Sequence, residues 1–344
     1  MKEYIVFFIL ILMLSCGLNE EQASFNEKSF CNQNEAIFSP DGFNINYLGG
    51  LGIDKYNSLS IYFIDDNNGF QIATIRSGGM HQLLKTNDGG VTWEHVKLPH
   101  NPRLKEIIFK NADEGAIFTY SSNMYKTTDG GKTWNETSSQ KDLNHYAYDE
   151  NGLMYASSFD EIIYVSYNDG VSWTELSNNN GFLFSSTKFS FKIIGEKIYA
   201  LGKDNSVVVI SLDGEYISTL TSDEGRVKDI HVLNEDTFIF EMYYSMSITK
   251  DGGATWSIYY DGIARVISFI AENELVILMN AGFKPVDYPE SYDKIAYTTD
   301  GGTTWIKNKN TNIDLLLDYK GSKKMSPDRA VMFFRNCIFE VKRI

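Results

Sequence analysis

Along most of the chain, short runs of β-branched and aromatic residues alternate with polar ones and stop at clusters of Asp, Asn and Gly. Leu59–Ile64 and Gly69–Ile75 flank the turn cluster Asp65-Asp66-Asn67-Asn68, and Met80–Thr86 follows. Apolar residues at a period of two, bounded by turn residues, predict half-buried antiparallel strands. The triplet recurs as Leu104–Lys110, Gly115–Tyr120, Asn123–Thr127, and again as His145–Asp149, Leu153–Ser157, Ile162–Ser166. Further copies are Thr187–Ile193, Lys197–Leu201, Ser206–Ser211; Val227–Leu233, Thr237–Met242, Ser245–Thr249; and Ala264–Ile270, Glu274–Met279, Lys294–Thr298. No amphipathic helical stretch competes with these strands.

Five of the six triplets end in one octapeptide, [S/T]-x-[D/N]-x-G-x-[T/S]-W. It places Asp88, Gly90 and Trp93 in the first copy, Asp129, Gly131 and Trp134 in the second, and Asn168, Gly170 and Trp173 in the third. Asp251, Gly253 and Trp256, then Asp300, Gly302 and Trp305, complete the set and account for all five tryptophans. Successive tryptophans lie 41, 39, 83 and 49 residues apart, so one repeat has lost its box (Ser211-Leu212-Asp213-Gly214 is the remnant) and one carries an insertion. A period near 41 with four short strands per unit is the signature of a β-propeller.

Ile313–Tyr319, Arg329–Arg335 and Cys337–Arg343 give three more strands and no fourth. A strand around Phe43, Ile45 and Tyr47 is expected to complete that unit from the other end of the chain, leaving no open edge. The expectation is an all-β, seven-bladed β-propeller with composite closure, six blades being the alternative. Within each box, the Asp or Asn is expected to accept backbone N–H groups across a turn, and the fifth-place Gly to permit positive φ. The Trp is expected to cover apolar surface while its N–H finds a partner.

The first residues read as a processing signal. Lys2 precedes an apolar run, Tyr4–Leu14, that is too short to span a bilayer. Ser15-Cys16-Gly17 follows directly and resembles a bacterial lipobox, which implies lipidation of Cys16. The domain reading is therefore signal peptide 1–15, tether 16–33 and propeller 34–344. Glu20-Glu21 resembles a surface-export signal, so the expected location is the outer membrane, on its periplasmic side or at the cell surface. With Cys16 lipidated, Cys31 and Cys337 remain in an oxidising setting, either as a disulfide joining the chain ends or as two buried thiols.

The octapeptide is similar to the Asp-box, or BNR repeat, of sialidases, xyloglucan hydrolases, sortilin-type receptors and photosystem II assembly-factor propellers. The stretch from Asn67 to Trp93, NNGFQIATIRSGGMHQLLKTNDGGVTW, looks most like the assembly-factor branch. A formal net charge of −14, with no Lys/Arg run longer than Lys323-Lys324, argues against a nucleic-acid partner. The sialidase family's Arg-Ile-Pro motif is missing, and no His, Cys or carboxylate spacing suggests a metal or cofactor. The reading is a non-catalytic protein-binding or assembly propeller, with a glycan-binding protein or glycoside hydrolase as the alternative. Boxes occupy one end of each blade, so function is expected at the other end. Arg76, Arg103, Tyr243 and Tyr244 are candidates there, with Phe283, Tyr288 and Tyr292 from the insertion 281–293. Lys97, His100, Tyr120 and Phe159 are expected on the same side.

Overall fold

The computed structural model describes residues 43–50, 56–75, 79–158, 162–176, 191–202, 206–221, 227–271, 273–279, 294–307, 319–326, 329–334 and 337–343. These residues form 28 strands in seven four-stranded antiparallel sheets. β1 (Phe43–Gly50) stands apart in sequence from its sheet. The first sheet takes β2 (Tyr56–Phe63), β3 (Gly69–Ile75), β4 (His81–Thr86) and β5 (Glu94–Val96). The second takes β6 (Leu104–Phe109), β7 (Gly115–Thr119), β8 (Asn123–Thr127) and β9 (Asn135–Ser138). The third takes β10 (Tyr146–Tyr148), β11 (Met154–Ser157), β12 (Ile163–Ser166) and β13 (Thr174–Glu175). The fourth, the one without a complete box, takes β14 (Phe191–Ile194), β15 (Lys197–Leu201), β16 (Val207–Ser211) and β17 (Tyr216–Leu220). The fifth takes β18 (Val227–Val232), β19 (Phe238–Met242), β20 (Ser245–Thr249) and β21 (Ser257–Asp261). The sixth takes β22 (Ala264–Ala271), β23 (Glu274–Met279), β24 (Lys294–Thr298) and β25 (Ile306–Lys307).

The last sheet is composite. β26 (Tyr319–Ser326), β27 (Arg329–Phe334) and β28 (Cys337–Arg343) are joined by β1 in the order β1-β28-β27-β26. The sequence pattern favoured Ile313–Tyr319 as the inner strand here, but the strand observed begins at Tyr319 and reads YKGSKKMS. Its register on β27, with Lys323 opposite Val331, places it, not an apolar pattern of its own. Residues 313–318 lie outside the described residues. Neighbouring sheets meet through their inner strands: β2 against β6, β6 against β10, β10 against β14, β18 against β22, and β22 against β26. β15 meets β18, and β26 also meets β2, so the order of neighbours returns to its start.

The core is divided among these junctions. Phe70, Ile72 and Leu83 of the first sheet pack with Leu104, Ile107, Phe109 and Trp134 of the second. Phe118 and Met124 of the second pack with Tyr146, Met154 and Trp173 of the third, Phe118 stacking on Tyr146 at 3.6 Å between ring centroids. Each large side chain buried in this way contributes about 1.5–3 kcal/mol. Similar clusters sit between the third and fourth, fourth and fifth, and fifth and sixth sheets.

The boxes behave as their composition dictates. In the first, the Thr86 hydroxyl donates to Asp88 Oδ1 at 2.8 Å and accepts the Gly90 N–H at 2.8 Å. Asp88 in turn accepts the Thr92 N–H at 2.9 Å and the Thr92 hydroxyl at 2.5 Å. Asp129, Asp251 and Asp300 repeat this set. Donation from Thr133 and Thr255 holds the Asp129 and Asp251 carboxyls at about 2. In the third copy Asn168 Oδ1 accepts the Ser172 N–H, while its amide donates to Ser172 Oγ at 2.8 Å. The amide therefore preserves the turn with one bond reversed.

Two features go beyond the pattern. The fourth place also has positive φ, including Asp169 at 52°. At the fifth place, a Cβ on Gly131 would lie 2.2 Å from Phe70 of the preceding sheet, so glycine there is also a packing requirement. The expectation that every Trp N–H is satisfied holds only in part. Trp93 donates to Gly90 O and Trp173 to Ser139 Oγ, both at 3.0 Å. Among the described residues the Trp134 and Trp256 N–H groups have no hydrogen-bond partner, and those indoles lie edge-on or tilted among Phe70, Phe109, Phe238 and Phe240.

The proposed Cys31–Cys337 pair, the lipid on Cys16 and the segments 1–15 and 16–33 fall outside the described residues, apart from the backbone of Cys337. In the sheet, Cys337 stands opposite Gly50, and Phe43 opposite Arg343. Cys337 is thus at the far end of β1 from residue 42, and a bridge to Cys31 requires residues 32–42 to run back about 20 Å along the sheet.

Candidate binding face

Four of the five boxes bond to the turn joining the first two strands of their own sheet: Gly89 donates to Asn67 O, Gly130 to Asp113 O, Gly252 to Asp236 O and Gly301 to Asn273 O. Antiparallel alternation then puts the turns between second and third strands, and the links between sheets, at the opposite end. Function was expected at that end. Two aromatic and cationic clusters are found there.

The first is built on the second sheet. Tyr120, in the β7–β8 turn, is 49% exposed, and its N–H donates to Arg103 O at 2.9 Å across to the incoming link. That bond carries the Arg103 guanidinium over the ring, 5.1 Å from its centroid, and Lys105 reaches the same ring at 5.4 Å. Such contacts contribute roughly 0.5–1 kcal/mol each at exposed sites. His81 meets the ring edge-on at 5.9 Å, with Nδ1 2.6 Å from Leu104 O. Burial lowers the His81 pKa, the Leu104 carbonyl opposes this, and the Arg103 charge lowers it further. The link itself, Pro99-His100-Asn101-Pro102, holds His100 and Asn101 at φ of 62° and 44°, a rare conformation for residues other than glycine.

The second cluster belongs to the fifth sheet. Tyr243 and Tyr244 form the β19–β20 turn with their rings 6.5 Å apart, and Lys228 stands 5.4 Å from the Tyr243 ring. Beneath them lies a residue that the sequence pattern did not single out. Glu241 is 2% exposed and ends the apolar run Phe238-Ile239-Phe240. It accepts from Arg265 Nη1 at 2.8 Å and from the Val266 N–H at 3.1 Å, and pairs with His231 Nε2 at 3.1 Å. Lys228 Nζ is 3.8 Å away. Burial pushes this carboxyl up, but the His231 hydrogen bond and the His231 and Arg265 charges, with the Val266 amide, hold it at about 2. A lone acid inside a buried strand was the available signal, because such a charge must be paired.

Arg103 therefore belongs to one cluster and Tyr243 and Tyr244 to another, three sheets on. Tyr120 joins the first. His100 is on the same link and 3.8 Å from Glu136. Lys97 lies in a groove of about 450 Å³ with His81, His95 and Pro102. Arg76, Phe159, Phe283, Tyr288 and Tyr292 lie outside the described residues. Among the described residues, no three His, Cys, Asp or Glu side chains converge as a metal site.

Comparison with known proteins agrees with this architecture. The Sortilin-Vps10 family model (sortilin, neurotensin receptor 3) matches residues 81–242. A 64-residue stretch is 41% identical to the photosystem II assembly lipoprotein Ycf48 of Prochlorococcus marinus (strain MIT 9312), covering 17% of this chain and 18% of that protein. Among solved structures, YCF48 from Cyanidioschyzon merolae superposes with a TM-score of 0.63 at 18% identity, over 86% of this chain and 98% of that one. YCF48 bound to D1 peptide gives 0.64 at 17% identity, over 89% and 98%. A streptogramin B lyase gives 0.63 at 12% identity, over 88% and 98%. The likeness to these solved structures shows the fold, that of a β-propeller.

Proposed function

We propose that the chain is a seven-bladed propeller whose turns opposite the boxes bind a segment of another protein, as a non-catalytic assembly or scaffold module. The observation that carries this reading is the pair of exposed aromatic and cationic clusters, Arg103–Tyr120–Lys105 and Lys228–Tyr243–Tyr244. Tyrosine with arginine is the composition of protein-binding hot spots. The resemblance to a propeller described as bound to a D1 peptide supports a peptide-like partner. The run Tyr4–Leu14 followed by Ser15-Cys16-Gly17 supports export and a lipid on Cys16 at the cell envelope.

Crosslinked pulldown from solubilised outer membranes tests the proposal. A protein partner captured by the wild type and lost with the double variant Tyr120→Ala and Tyr243→Ala is the expected result. Capture unchanged by that variant, or no captured protein, overturns it. Mass spectrometry of the mature chain tests the anchor, and an unmodified N-terminus at any residue other than Cys16 removes it.

A further inference from the structure

A cavity of about 730 Å³ lies where the inner strands converge, lined from β2, β6, β10, β14, β18 and β22. Its wall is layered. Counting through the ladders from the first residue of each box or its remnant, Phe63, Phe109, Tyr148, Ile194 and Val232 fall on one level. The cavity wall at that level and the one before it holds Tyr62, Ala147, Tyr148, Ile193, Ile194 and Val232, with the His231 imidazole and the two tyrosine hydroxyls as its polar groups and Glu150 beyond it on the side of the boxes. One and two residues further from the boxes the wall adds the polar side chains Ser60, Glu106, His145 and Lys192, beside Ile61, Ile107, Tyr146, Phe191 and Ile230.

Among the described residues the polar level holds one imidazole–carboxylate pair and one lysine, Lys192. His145 Nδ1 lies 3.3 Å from Glu106 Oε1, and the imidazole stands edge-on to Phe191 at 5.3 Å. The pair is a third or less exposed, at 33% and 19%. His231, at the boundary, faces Glu241, whose charge is met by Arg265. Imidazole–carboxylate pairs offer donors and acceptors together. An anionic head would meet the like charge of Glu106 and a cationic one that of Lys192, whereas a hydroxyl-bearing head can both donate and accept there. The size is that of a small-molecule site. Rows about 3.3 Å apart give the apolar half a depth of several ångströms, short of a long lipid chain.

We propose that this cavity binds a short amphiphile, with its apolar tail among Tyr62, Ile193 and Ile194 and an uncharged, hydroxyl-bearing head at Glu106, His145 and Lys192. The site is separate from the protein-binding turns and does not rest on that reading.

Three probes of equal chain length test it below their micellar concentrations: octyl glucoside, octanoate and octyltrimethylammonium. Native mass spectrometry and calorimetric titration of the propeller are expected to show one octyl glucoside bound per chain, and the charged probes bound at least tenfold more weakly. Ala147→Phe fills the apolar half and is expected to weaken octyl glucoside binding at least tenfold with the melting temperature held within a few degrees. His145→Leu is expected to reduce the preference for the glucoside over the charged probes. Should Ala147→Phe fail to fold, Ile193→Asn provides the same test. No binding by the wild type, tighter binding of either charged probe, or binding indifferent to the cavity variants overturns the proposal.

Discussion

Replacing Glu241 by Gln keeps the shape of the side chain and removes its charge. The carboxylate now takes bonds from Arg265 and the Val266 N–H and pairs with His231, with Lys228 3.8 Å away. A glutamine has one acceptor oxygen, and its amide N–H groups face a site already crowded with donors. Two charge-assisted bonds at about 1.5–3 kcal/mol each are lost. Arg265 and Lys228 are 34% and 24% exposed and recover part of their hydration, which brings the cost to about 2–4 kcal/mol. That corresponds to a fall of roughly 3–6 °C in Tm for a chain of this size. The loss also carries a pH signature. Because the folded carboxyl sits at about 2, well below the ordinary glutamate value, its contribution is complete above the ordinary value and disappears as pH falls toward 2. Denaturant titrations of wild type and Glu241→Gln at pH 7, 5, 4 and 3 are expected to differ fully at pH 7 and 5 and to converge toward pH 3. A gap that is constant across that range, or below about 0.5 kcal/mol at pH 7, would refute the assignment of Glu241 as an ionised buried hub.

Two further outcomes follow from the boxes and are read by thermal unfolding. Gly131→Ala places a Cβ 2.2 Å from Phe70 at a φ of 73°, and is expected to cost about 2–4 kcal/mol, whereas a loss under 1 kcal/mol would mean the junction is soft. Asp251→Asn is expected to melt close to wild type and above Asp251→Ala, because Asn168 already supports the same turn, and equal melting of the two variants would show that the accepted N–H bonds contribute nothing.

Much of the fold was legible because its information is local. Strand periodicity and turn chemistry depend on neighbours two to eight residues apart, so Gly69–Ile75, Glu274–Met279 and Lys294–Thr298 could be read directly from the chain. The octapeptide carries its own hydrogen bonds, from Thr86 to Thr92 in the first copy, and needs no distant partner to form. The polar inner strand Tyr319–Ser326 could not be read this way, since its pairing with Arg329–Phe334 and its place against β2 and β22 decide it.

The candidate site divides along the same line. That Arg103, Tyr243 and Tyr244 sit at the turns opposite the boxes follows from counting strands. That Arg103 lies over Tyr120 while Tyr243 belongs to a second cluster is set by which links cross which turns. Glu241 shows the limit most clearly. The sequence determines an acid at the end of a buried strand, but its partners are 10, 24 and 25 residues away. Pairing of β18 with β19 brings His231 to the carboxylate, and the packing of the fifth sheet against the sixth brings Arg265 and the Val266 amide. Long-range pairing of charges in a buried place leaves no local pattern, because the cost of burying each group is offset by contacts that exist only in the folded chain.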